Sequence, residues 1–326
     1  MADSTAGFLT LRFWRAYLIT MRPYLLFVSG TAGAVGLAFI PTPVYWRVVL
    51  VFFPLFLSYG FGQALTDCFQ TDTDSISSPY RPLVRGEVTR GSVLLVSLAG
   101  LIIGTLIVGY ISRVALCLSA LAVLGLLTYT FFKRRWWGGP AWNSWIVALL
   151  PLVGRNADSG YRMTGFFNWT DPHVLAFSLA VAAVFFGYAN FVVMGYFKDI
   201  SADRQTGYNT FPVRFGWVAN AIFSDLLALG ITLGAGAAIV LSGPVKPLAG
   251  IVFLAGFVIN LWAQVAIHRI RDEAKSHGPI ANVVRAFVLY GMAVVLALEP
   301  GWVIPAFVFY VLFEVVLRIR PERAQV

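Results

Sequence analysis

The sequence predicts an all-α polytopic membrane protein, a helical bundle of about nine to ten transmembrane segments. Hydrophobic residues make up 59% of the 326 residues and charged residues only 12%. The mean hydropathy is +0.77, far outside the usage of soluble globular chains. Apolar runs long enough to cross about 30 Å of hydrocarbon at about 1.5 Å per residue recur along the whole chain. Basic residues collect on alternate connections between those runs.

The first run, 23–40, follows Asp3 and a mostly neutral start before Arg12, unlike a cleaved signal peptide, so the span itself is expected to direct insertion. The second, 46–66, ends in an acid cluster. The third and fourth, 91–112 and 114–132, are separated by Arg113. A shorter run at 139–153 begins in Gly138-Gly139-Pro140 and is barely long enough to span. The remaining runs lie at 174–197, 216–242, 247–267, 281–298 and 301–318. The region around His277-Gly278-Pro279 reads as a loop.

Ten crossings put Arg12, Arg15, Arg22, Arg81, Arg85, Arg90, Lys133, Arg134, Arg135, Lys198, Arg204, Arg214, Arg269, Arg271, Lys275, Arg285, Arg318, Arg320 and Arg323 on one side. Only Arg47, Arg113, Arg155, Arg162 and Lys246 fall on the other. By the positive-inside rule the N-terminus and the acid clusters face the cytoplasm. The net charge of +9 follows from this asymmetry and from contact with anionic headgroups. Nucleic-acid binding is not expected, because no basic stretch interleaves with aromatics. Cys68 and Cys117 are too few and too far apart for a disulfide framework or a thiolate metal site, and read as buried small residues. His173, His268 and His277 form no metal-spaced pair, and no phosphate loop or nucleophile elbow occurs.

The acids are the chemical signal. Thr66-Asp67-Cys68-Phe69-Gln70-Thr71-Asp72-Thr73-Asp74 and Lys198-Asp199-Ile200-Ser201-Ala202-Asp203 each follow an apolar run and lead into an arginine-bearing loop. Carboxylates at a membrane helix end are costly unless paired, hydrated or metal-bound. Capping and solvated loop acids would explain one such stretch, but two at equivalent positions favour a site. On a helix Asp199 and Asp203 share a face, as do Asp67 and Asp74, whereas Asp72 is rotated by roughly 140° from Asp67. Two such oxygen pairs suit Mg²⁺, which takes one or two carboxylates, waters and phosphate oxygens, and point to a metal-bridged diphosphate substrate. Arg81, Lys133, Arg134, Lys198, Arg204 and Arg214 could balance its charge; Arg81 is aimed by flanking prolines and Lys198 abuts Asp199. Tyr59, Phe61, Phe69, Phe191 and Tyr196 lie near the motifs and could stabilise a carbocation through their ring faces. Asn190, Asn260 and Gln264 are polar at membrane depth, suited either to interhelical hydrogen bonds or to lining a substrate cavity.

The run from Thr66 through Pro79-Tyr80-Arg81-Pro82-Leu83 resembles the first signature of the UbiA superfamily of intramembrane prenyltransferases, Asn-Asp-x-x-Asp-x-x-x-Asp followed by Pro-Tyr-Arg-Pro. Tyr196-Phe197-Lys198-Asp199-Ile200-Ser201-Ala202-Asp203-Arg204-Gln205-Thr206-Gly207 resembles the second, Asp-x-x-x-Asp. Arg22-Pro23, Tyr129 and Lys133 also match the family pattern. The likeness covers essentially the whole chain. It departs at Thr66, where the family has Asn, and at Gln70, where it has Asp; the second motif is then expected to carry more of the metal. The family is described with nine spans, which marks 281–318 as the region of an additional one.

The resemblance implies helices around a central cavity open sideways to lipid and capped by the motif loops. It implies one UbiA-like domain over 1–326, in two pseudo-repeated halves at about 15–155 and 156–320. Asp67, Asp74, Asp199 and Asp203 are then the catalytic, Mg²⁺-holding residues. Gln70, Arg81, Lys133, Lys198, Arg204, Asn190, Tyr59 and Tyr196 are the substrate-binding set. The implied reaction ionises an allylic isoprenyl diphosphate and transfers the prenyl group to a lipophilic, aromatic acceptor. The alternative within the superfamily is a terpene cyclase acting on farnesyl or geranylgeranyl diphosphate. A transporter or inactive scaffold ranks below both, because the acids sit at helix ends and not at the bilayer midplane.

Overall fold

A computed structural model describes residues 6–157 and 168–320; Asp3, Arg162 and Arg323 lie outside the described residues. Thirteen α-helices are described: α1 (Leu11–Met21), α2 (Leu26–Ala38), α3 (Tyr45–Asp67), α4 (Thr71–Ser77), α5 (Arg90–Ile111), α6 (Arg113–Lys133), α7 (Gly139–Arg155), α8 (Pro172–Gly195), α9 (Ile200–Gln205), α10 (Phe211–Leu241), α11 (Pro247–Arg269), α12 (His277–Leu298) and α13 (Val303–Arg318).

Local chemistry sets many of their ends. Thr10, Thr89 and Asp171 accept backbone N–H bonds at the starts of α1, α5 and α8, replacing intrahelical partners that the first turn lacks. Ser112 both closes α5 and caps α6, so a single residue turns the chain between two spans. Pro23 disfavours helix at Arg22, which takes φ 51° and bends α1 against the following segment by 50°. α10 is broken at Gly216, with φ 84° and ψ 176°, a conformation open to glycine.

Among the described residues eight helices are long and apolar enough to cross a membrane, or nine if the bent α1–α2 pair is one span. With the bent pair counted as one span, nine is the lower end of the expected nine to ten. The tenth run is α7, which Gly138-Gly139-Pro140 starts late and which runs for only 17 residues.

Burial sorts the helices into layers. The spanning window of α12 is 83% buried, against 22% for α5 and α6 and 11% for α13, so α12 is the axial helix and the others present apolar side chains outward. α2 and α7 cross with almost no side chain between them: a Cβ on Gly36 would lie 2.0 Å from the Pro151 carbonyl oxygen, and one on Gly154 would lie 2.6 Å from that of Gly33. Close backbone approach of this kind is how membrane helices gain packing contacts where lipid tails offer no hydrophobic incentive. α4 and α9 meet on one end of the bundle, where Thr73 Oγ1 and Thr206 Oγ1 are 3.0 Å apart. Cys68 is buried as expected, but Cys117 is exposed on the outer face of α6.

Candidate active site

α3 ends at Asp67 and α4 starts at Thr71, so the continuous helix expected through Asp67 and Asp74 is broken over 68–70. The two acids are brought together by arginines. Arg22 Nη2 donates to both oxygens of Asp67, at 3.1 and 3.2 Å, and Gln63 Nε2 donates to Oδ1 at 2.6 Å. Arg81 Nη1 donates to Asp74 Oδ2 and lies 3.5 Å from Asp67 Oδ1. Asp67, Asp74, Arg22 and Arg81 are all buried, so each charge depends on the others for compensation. Asp72 follows its expected rotation. It faces outward, bound to Arg134 at 3.1 Å and to the Tyr208 hydroxyl at 3.2 Å.

In the second motif Asp199 precedes the first turn of α9 and Asp203 lies one turn on, with Asp203 N donating to Asp199 O at 2.8 Å. Thr210 Oγ1 donates to Asp203 Oδ2 at 3.0 Å, while Asp203 Oδ1 is buried without a hydrogen-bond partner. Burial pushes the Asp203 carboxyl up to about 7 against the opposing pull of Lys133. The Asp74 carboxyl is likewise raised by burial, with Arg81 opposing. Lys133 Nζ donates to Gln70 Oε1, placing the amide that replaces the family's acid against a cation. Glu273 holds the α9 start by accepting from Ser201 N and Oγ.

These groups rim a cavity of about 420 Å³, within the range of small-molecule sites. Gln70, Asp74, Arg81, Lys133, Lys198, Asp199, Tyr59 and Tyr196 line it, as do Arg22 and the rings of Phe61 and Phe191. Below the rim the wall is apolar, built from α3, α5, α6 and α7. Tyr196 reaches α7 because residue 139 is glycine; a Cβ there would lie 2.1 Å from its hydroxyl.

Other expected residues lie elsewhere. Asp67 sits behind Arg22 and does not line the cavity. Asp203 is completely buried, beneath Thr210. Arg204 is exposed beside the Gly216 break, since a position one residue past Asp203 turns away from the cavity. Asn190 accepts from Ser224 Oγ at 2.6 Å between α8 and α10, Gln264 Oε1 lies 2.9 Å from the same hydroxyl oxygen, and Asn260 donates to Ala228 O at 3.3 Å; all three lie in contacts between helices. Phe69 lies under Arg90, 4.9 Å from ring centroid to guanidinium carbon, and Arg214 is exposed at the start of α10.

Sequence reading missed Gln63, Asn143, Tyr188, Tyr208 and Thr210. Gly207, with φ 76°, was the available signal for the last two, because a turn there folds the following residues back onto the motif.

Among the described residues no three His, Cys, Asp or Glu side chains form a metal-ligating group. The donor set still fits Mg²⁺: Asp74 and Asp199 face the cavity from opposite motifs and Asp203 Oδ1 has an unused lone pair, while this ion takes few protein ligands and completes its shell with water and phosphate.

The chain is 26% identical over 293 residues to digeranylgeranylglyceryl phosphate synthase of Thermococcus kodakarensis, covering 87% of this chain and 95% of that one. Its fold resembles the apo structure of a UbiA homolog from Aeropyrum pernix K1, with a TM-score of 0.70 at 19% identity over 83% of this chain and 97% of that one. It also resembles a UbiA homolog from Archaeoglobus fulgidus bound to GPP and Mg²⁺, with a TM-score of 0.62 at 17% identity over 86% and 99%. The model of the UbiA prenyltransferase family matches residues 25–287. The chain, a multi-pass integral membrane protein, belongs to the UbiA prenyltransferase family and is an enzyme of that type.

Proposed function

We propose that the protein is a Mg²⁺-dependent prenyltransferase that ionises an allylic isoprenyl diphosphate and passes the prenyl group to a lipophilic acceptor. The observation that carries this is the division of one cavity into two parts: a rim of carboxylates and cations, and an apolar wall below it. A prenyl diphosphate has the same division. Asp74, Asp199 and Asp203 would hold the metal, and the bound ion would supply positive charge to the leaving diphosphate. Lys133, Lys198, Arg22 and Arg81 add fixed charge where negative charge develops. Asp67 acts at one remove, by orienting Arg22 and Arg81. Tyr59, Phe61 and Phe191 present aromatic faces to the cationic chain, and the apolar wall keeps water from it.

The relatives' name, digeranylgeranylglyceryl phosphate synthase, makes a C20 donor and a glyceryl phosphate acceptor the first pair to test. The asymmetry of basic residues supports a cytoplasmic N-terminus and motif face. The two-half organisation is supported by α3 with α4 and α8 with α9, each a span leading into a short motif helix.

The test is to incubate purified protein with Mg²⁺ and geranylgeranyl diphosphate, with and without acceptors, and to analyse the extract by mass spectrometry. Acceptor-dependent prenylation, lost by about 100-fold or more in Asp199→Ala, is the expected result. A cyclic terpene formed from donor alone would replace transfer with cyclisation.

A further inference from the structure

The second motif stands on a helix that its own leading residue does not cap. α9 has six residues, too few to hold itself together without outside partners, and its first N–H groups lack acceptors within the helix. Asp199 occupies the capping position and is of a type that readily takes such an N–H, yet it makes no capping bond. Its backbone, at φ −114° and ψ 4°, is outside the extended region from which a capping side chain reaches back over its helix. The Asp199 carboxylate lines the cavity instead. The cap comes from Glu273, which accepts from Ser201 N through both oxygens, at 3.2 and 3.1 Å, and from Ser201 Oγ at 2.5 Å. Glu273 belongs to the α11–α12 connection, in a turn fixed on both sides. Asp272 Oδ1 accepts from Ala274 N at 2.9 Å, and the buried Ser276 donates from Oγ to Glu273 O at 2.7 Å. The turn runs directly into α12, the axial helix. Glu273 itself lies outside the cavity, in a surface groove beside Arg204 and Trp217.

We propose that Glu273 is a positioning residue for the second motif: by capping α9 in place of Asp199, it leaves the Asp199 carboxylate to face the cavity and hold Mg²⁺. A side chain turned back onto the Ser201 N–H is turned away from the cavity, so without Glu273 the two uses of Asp199 compete. The α11–α12 connection thereby joins the two motif loops as a third part that sets the affinity for the metal, tied through its turn to the most buried helix of the bundle. The inference rests on the prenyl-transfer reading and concerns how this chain prepares one ligand of that reading.

The experiment measures, in purified full-length protein, the Mg²⁺ concentration that half-saturates binding of a non-ionisable geranylgeranyl diphosphate analogue. Residue-resolved amide hydrogen exchange at Ser201 is followed alongside, with and without Mg²⁺ and analogue. Glu273→Ala is expected to raise the Mg²⁺ half-saturation about tenfold, the worth of one cap bond. In that variant exchange at Ser201 should quicken about tenfold when Mg²⁺ and analogue are added, because the metal draws Asp199 off the helix; in wild type it should not quicken. Glu273→Gln keeps one carbonyl oxygen for the same N–H and should fall between wild type and Glu273→Ala. Ser201→Ala loses only the hydroxyl bond and should shift the half-saturation less than Glu273→Ala does. An unchanged Mg²⁺ half-saturation in Glu273→Ala overturns the proposal. So does exchange at Ser201 that is equally fast with and without Mg²⁺ in that variant, since α9 would then only fray. Wild type that binds no analogue at any Mg²⁺ concentration removes the diphosphate reading as well. Unaltered exchange across α12 shows that the bundle is intact in each variant, so a change is read at the second motif.

Discussion

Arg22 combines three costs: a guanidinium that is buried, a left-handed φ of 51° on a residue with a side chain, and the break between two helices. Positive φ for such a residue is uncommon and persists where its surroundings over-determine it. Here the surroundings are the two bonds to Asp67. Arg22→Ala should cost about 3 kcal/mol, because it leaves a buried carboxylate short of its partner. Asp67→Asn in the same chain should recover much of that loss in thermal unfolding, as coupled pairs do. Asp203 gives a prediction of opposite character. Its carboxyl titrates near 7 when folded against an ordinary value of 3.8, so the folded state binds the extra proton and stability falls as pH rises between those values. In chelator, the Tm of wild type should drop relative to Asp203→Asn from about pH 4 to about pH 7 and hold constant above that; a flat difference would remove the buried-acid account.

At the scale of helices, packing decides what apolar length does not. Gly36→Ala must move the Pro151 carbonyl and should destabilise the protein by about 2 kcal/mol or more, measured by unfolding in mixed micelles. Gly104→Ala, where the nearest atom to the new Cβ is 3.5 Å away, should be neutral and serves as the control. Most spans were legible because a run of apolar residues has a direct cause in hydrocarbon thickness. α1 was not, since Arg12, Arg15 and Thr20 interrupt it, and it becomes part of a span only through its union with α2 across the bend. The interruption between α3 and α4 was equally hidden: tertiary partners of Asp67, Gln70 and Asp74 set it, and single-helix spacing cannot register them. That spacing still placed Asp72 correctly, because its rotation away from Asp67 survives the break. It could not say whether Asn190 faces the cavity or a neighbouring helix, for both faces of α8 are buried.

For the whole molecule, charge distribution supplies the testable quantity. Ser75 in α4 and Thr42 in the connection after α2 are both exposed and lie at opposite ends of the bundle. With Cys117 replaced, Ser75→Cys should react with an impermeant thiol reagent only in inverted vesicles, and Thr42→Cys only in intact cells; the reverse pattern would turn the motifs outward. The motif helices are also in direct contact with one another. Thr73 touches Thr206, and Tyr208 from beyond the second motif bonds Asp72 of the first, so α4 and α9 share a clasp and are not two separate flaps. Neither can lift without loosening its counterpart. A change at one motif is therefore expected to be felt at the other, through a hydroxyl pair that joins the two helices without lining the cavity itself.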